Sequence, residues 1–60
     1  MLEAYDDVMT ADEVCEALRI GYNSLYSILS RGDLKAYKIG RNWRVPKEAV
    51  KLFIMEQARL

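Results

Sequence analysis

Residues 21–45, GYNSLYSILSRGDLKAYKIGRNWRV, constrain the fold of this chain more than any other stretch. Leu25, Ile28 and Leu29 recur at helical spacing, and Gly32 supplies a helix stop. Two short alternating runs follow, with Tyr37 and Ile39 flanking Lys38, and Trp43 and Val45 flanking Arg44. Between them Gly40, Arg41 and Asn42 tolerate the positive φ of a tight hairpin. The run therefore reads as a short amphipathic helix followed by a cationic β-hairpin. A small, polar helix face beside a basic ribbon suits a polyanionic duplex, with the helix in a groove and the ribbon on the backbone.

The rest of the chain frames this unit. Sixty residues are read as a single small domain over 1–60, too small for a deep catalytic cleft. No clear period marks residues 1–9, which are expected to form a loose arm, ordered only where Tyr5, Val8 or Met9 packs. Thr10 and Glu13 make a capping box, so a first helix is expected over 11–18, burying Ala11, Val14, Cys15 and Leu18. Ile20 and Gly21 lead into a second helix over 22–31. The hairpin is expected over 36–45, and Pro46 pre-sets a third helix over 47–58 with Val50, Phe53 and Ile54 inward. Leu52, Met55 and Leu60 put apolar residues on a second side of that helix, suited to the arm or to another copy. The fold class is mainly α with a small β-hairpin: two helices joined by a short turn, a hairpin and a last helix.

Charge is distributed unevenly. Net charge is zero, yet residues 1–16 hold six acids and no base, and residues 31–51 hold seven bases against two acids. That local net of +5 is an electrostatic footprint hidden by the whole-chain sum. The acidic first helix is expected to face away from a bound polyanion. There is no histidine, and the lone Cys15 excludes an internal disulfide. No metal, no cofactor and no catalytic constellation are expected. Apolar runs reach only four residues, as at 52–55, so neither a signal peptide nor a membrane span is expected, and a cytoplasmic location is the simplest reading.

The candidate contact residues fall in three groups. Tyr22, Asn23, Ser24, Tyr26 and Ser27 occupy the N-terminal half of the second helix, the part that reaches base edges in helix-turn-helix docking. Lys38, Arg41, Asn42 and Arg44 form the cationic hairpin. Arg31 and Lys35 are candidates for additional phosphate contacts. The same residues also suit plainer roles: a solvated helix face, and edge strands guarded by Lys and Arg. Trp43 reads as the core anchor of the hairpin, and Arg31-Gly32-Asp33 as a helix stop.

Taken together, Met9-Thr10-Ala11-Asp12-Glu13-Val14, Leu18-Arg19-Ile20-Gly21, Leu25-Tyr26-Ser27-Ile28-Leu29, Gly32-Asp33-Leu34 and the hairpin from Tyr37 to Val45 resemble the excisionase-type winged helix-turn-helix family, a compact relative of the MerR DNA-binding domain. The resemblance covers about residues 8–54. It implies a winged helix-turn-helix with the second helix in the major groove and the Gly40–Trp43 wing at the neighbouring minor groove. It matches Tyr22, Asn23, Ser24 and Ser27 to recognition positions, and Lys38, Arg41, Asn42 and Arg44 to the wing. It further implies a bacterial or phage-encoded, nucleoid-associated protein that binds double-stranded DNA without chemistry. Excisionases bind cooperatively, bend attachment-site DNA and assist a phage-type integrase; other members are small transcriptional regulators. A protein-interaction module without DNA binding is the alternative of another class. Gly21 and Pro46 stand where the family usually has Ser or Thr, and the second helix is less basic than is usual in the family.

Overall fold

The computed structural model describes residues 2–59, so Leu60, expected on the second apolar side of the last helix, lies outside the described residues, as does Met1 of the arm. The element order is β1 (Val8–Thr10), α1 (Ala11–Leu18), α2 (Tyr22–Ser30), β2 (Tyr37–Ile39), β3 (Asn42–Pro46) and α3 (Lys47–Ala58). The strands form one antiparallel sheet in the order β1-β3-β2. This is the architecture of a winged helix-turn-helix. No helix among the described residues is long and apolar enough to cross a membrane.

Local chemistry sets the helix ends. The Glu13 amide donates to Thr10 Oγ1 at 3.2 Å while the Thr10 amide donates to Glu13 Oε1 at 2.9 Å, a complete capping box at the start of α1. Both α1 and α2 close in the same way. Arg19 N–H donates to Glu16 C=O and Ile20 N–H to Cys15 C=O; Gly32 N–H donates to Leu29 C=O and Asp33 N–H to Ile28 C=O. These paired reverse bonds are a Schellman closure, which places one residue in the left-handed region. Gly32 occupies it at φ 75° without side-chain cost, whereas α1 forces Arg19 there at φ 56°. The α3 start lacks a side-chain cap because Pro46 stands there. Its first amide, Lys47 N–H, donates instead to the Asp7 carbonyl at 2.7 Å.

The end of the expected loose arm is a strand. Val8–Thr10 pairs with β3 in the register Val8↔Pro46, Met9↔Val45 and Thr10↔Arg44. Met9 and Val45 are both fully buried, facing Val14, Leu25 and Val50 across the core, with Leu29 and Leu34 completing it. Residues before the strand are also tied down. The Tyr5 hydroxyl donates to Glu16 Oε1 at 2.6 Å, which holds its pKa above the ordinary value, and Lys47 Nζ donates to the Tyr5 carbonyl. An extended three-residue strand carries no period of its own, and only its distant partner gives it a face to bury.

The register also decides the faces of the hairpin. Lys38 lies opposite Trp43, and Tyr37 opposite Arg44. Residues opposite one another share a face, so Lys38 sits on the core side with Trp43, its Nζ 5.0 Å from the indole centroid. Tyr37 and Ile39 lie on the outer face with Arg44 and Val8, at 46%, 57% and 43% exposure for Tyr37, Ile39 and Val8. At the turn only Gly40 has positive φ, 62°, the pattern of a type II′ hairpin with glycine first.

Two stability predictions follow from these contacts. Met9→Ala should cost about 2–4 kcal/mol in chemical denaturation, the penalty of a core cavity; in a loose arm the change would fall within about 0.5 kcal/mol. Arg19→Gly should stabilise by about 0.5–1 kcal/mol and raise the thermal midpoint, because glycine alone accepts the left-handed closure without strain.

Candidate nucleic-acid interface

The second helix presents two different sides to solvent. Around its axis Leu25 and Leu29 point inward, and Tyr22, Asn23, Ser24, Tyr26 and Ser27 are all exposed. Tyr22 and Tyr26, one turn apart, pack with ring centroids 5.8 Å apart at 34°. They lie on the side that faces the hairpin. Asn23, Ser24 and Ser27 line a shallower cleft on the other side, together with Ile28 and Arg31.

The hairpin closes against the tyrosine side. A cleft of about 260 Å³ is lined by Tyr22 and Tyr26 of α2, by Arg41, Asn42 and Trp43 at the turn, and by Ala11 and Asp12 of α1. A second cleft of about 310 Å³, beyond Tyr26, is lined by Tyr26, Ser30, Lys38, Arg41 and Trp43. Tyr26 and Arg41 border both clefts, so the aromatic shoulder of α2 and the cationic tip of the hairpin form one continuous concave face. Arg44 stands apart from it. It lies on the outer sheet face with Tyr37, its Nη1 donating to the Trp43 carbonyl at 3.3 Å.

Folding also sorts the basic residues. Arg31 is held by Asp33 at 2.9 Å and donates to Ser27 Oγ at 2.9 Å; Lys47 pairs with Asp7 and Lys51 with Glu48. Among the described residues no carboxylate lies within ion-pairing distance of Lys35, Lys38, Arg41 or Arg44. Two of these, Lys38 and Arg41, border the concave face. Lys35 is exposed on the segment between α2 and the hairpin, away from both clefts. The +5 footprint is thus narrowed by intramolecular pairing to a smaller set of unpaired cations.

The acidic helix is not wholly remote. Glu13 and Glu16 are engaged by Thr10 and Tyr5, but Asp12 lines the cleft between α2 and the hairpin. Asp12 is thus an acid of the first helix that borders the candidate contact face. Cys15, half-buried, has its thiol pKa raised by burial and then by Asp12, which keeps it a protonated packing residue. No group of His, Cys, Asp and Glu among the described residues could hold a metal ion.

Comparison with known proteins agrees with this fold. A family model described as a helix-turn-helix domain matches residues 8–58, nearly the whole chain. No curated protein and no solved structure matches it. The match begins at Val8, the first residue of β1, and ends at Ala58, the last of α3, so it takes in every element that builds the concave face. With the fold, the two helices joined by a tight turn and the cationic wing all inside it, the chain belongs to the helix-turn-helix domain family of DNA-binding proteins.

Proposed function

We propose that this protein is a sequence-specific, non-enzymatic binder of double-stranded DNA in which α2 enters the major groove and the hairpin grips the backbone beside it. The observation that carries this reading is the shared cleft of Tyr22 and Tyr26 with Arg41, Asn42 and Trp43. Aromatic side chains meet the unpaired Arg41 there, and Lys38 joins Arg41 in the adjoining cleft beyond Tyr26. Asn23, Ser24 and Ser27 act as base readers, since Asn pairs bidentately with adenine and Ser reaches bases or phosphates. Lys38 and Arg41 hold phosphates, with Tyr22, Tyr26 and Asn42 adding hydrogen bonds. Arg44, Lys35 and Arg31 lie outside the clefts that join helix and wing, and contribute at the margins of the contact.

In its finer form the reading is an excisionase-like directionality factor, which binds attachment-site DNA with further copies, bends it and assists a phage-type integrase. Its support is the resemblance of the hairpin together with the charge pattern. Zero net charge and few unpaired cations limit the affinity of a lone copy and favour action beside a neighbour or partner.

Duplex binding is tested by mobility shift. At low salt a random-sequence duplex should be retarded at tens of micromolar protein or below, and the affinity should fall steeply with salt; no retardation in that range removes the DNA reading. Lys38→Ala and Arg41→Ala should weaken all sequences alike and each lower the salt slope by about one. Arg44→Ala should lose less than Arg41→Ala, and Asn23→Ala should shift sequence preference. For the architectural role, a site permuted along a fixed fragment should migrate differently with its position once bound, reporting a bend. Position-independent mobility would leave a regulator of the same fold.

A further inference from the structure

The cleft between α1, α2 and the hairpin turn holds one carboxylate, that of Asp12, among Tyr22, Tyr26, Arg41 and Asn42. The helix dipole favours acids in the first turn of α1, where Asp12 and Glu13 both stand, and Glu13 is engaged in the capping box with Thr10. Of the two, Asp12 lines the cleft that it shares with Arg41. Asp12 is exposed, and no cation lies within ion-pairing distance of it among the described residues. On a surface that only accumulated phosphate, this carboxylate would oppose Arg41 across the same cleft.

We infer that Asp12 is a selectivity residue of the interface, repelling phosphate from the inner end of the cleft and accepting a hydrogen bond from an exocyclic amine on a base edge. This rests on the duplex-binding reading above. Carboxylate and phosphate are both anionic and accept hydrogen bonds only, so each excludes the other from a shared position. The N4 amine of cytosine and the N6 amine of adenine are donors displayed in the major groove, and Asp accepts from the former in known pairings. The cleft beyond Tyr26 carries Lys38 and Arg41 without a lining carboxylate, which leaves it as the phosphate side. The two clefts share Tyr26, Arg41 and Trp43, so the concave face has an amine-accepting end at Asp12 and an anion-accepting end at Lys38. A backbone phosphate can then sit in only one of them, which fixes the register of the duplex.

Removing the Asp12 charge should therefore strengthen binding to arbitrary DNA while blunting discrimination. Anisotropy titration of a random-sequence duplex should show Asp12→Asn binding about threefold to tenfold tighter than the unaltered chain at low salt. Asp6→Asn, an equal charge change on the exposed arm and outside the residues that line either cleft, should tighten binding by less than about twofold at that salt, because solvent and salt screen an exposed charge off the contact face. Asp12→Glu keeps the charge and should bind like the unaltered chain. From a random duplex pool, Asp12→Asn should recover sequences less biased than those the unaltered chain recovers. Circular dichroism establishes that each variant is folded. If Asp12→Asn binds no more tightly than Asp6→Asn while the unaltered chain binds duplex, the role of Asp12 is overturned and the DNA reading stands. If neither the unaltered chain nor any Asp12 variant binds at tens of micromolar, both fall together.

Discussion

Strand β3 is hydrogen-bonded on both sides, and the pairing of β1 along one of them is the contact on which the domain depends. A two-stranded hairpin is marginal alone in water. Adding Val8–Thr10 makes a three-stranded sheet and brings Met9 against Val45 at the centre of the core. The same addition puts the Asp7 carbonyl over the first amide of α3 and starts α1 directly from Thr10. One short strand therefore fixes the hairpin, the first helix and the last helix relative to one another. The distance between α2 and the wing, which defines the concave face, follows from that arrangement.

Electrostatics are arranged on the same frame. Intramolecular pairs absorb Arg31, Lys47 and Lys51, while Lys38 rests on the Trp43 ring and keeps its charge available at the cleft. Such exposed pairs contribute little to stability. Their larger effect here is to concentrate the unpaired positive potential near the hairpin. The acids of α1 and the arm sit mostly elsewhere, so the molecule has a polarity that its zero net charge conceals.

Much of this was legible from local chemistry. Thr10 with Glu13, Gly32 after Leu29, and Pro46 before the last apolar period are signals that act within a few residues, and each acts on the backbone beside it. The 3.6-residue spacing of Leu25, Ile28 and Leu29 likewise separates the core side of α2 from the side bearing Asn23 and Ser27. Less legible was β1, whose three residues resemble an arm until Val45 is placed opposite Met9. The faces of the hairpin were also undecided. Tyr37 and Ile39 alternate with Lys38 as a buried strand would, yet the whole strand is exposed and these two lie on its outer face. Alternation states that two faces exist but not which one meets the core.

By itself, then, the sequence determined the elements of this protein, their caps and turns, and the cationic character of the hairpin, because these depend on neighbours within one or two turns of chain. Tertiary structure alone decided the rest. It turned Lys38 toward Trp43 and Arg44 away from α2, made a strand of Val8–Thr10, and brought Asp12 into the cleft of Tyr22, Tyr26 and Arg41. Those outcomes depend on strand register and on how far apart the helices and hairpin come to rest. Both are set by burying Met9, Val14, Leu25, Val45 and Val50 in a common core, to which residues far apart along the chain contribute together.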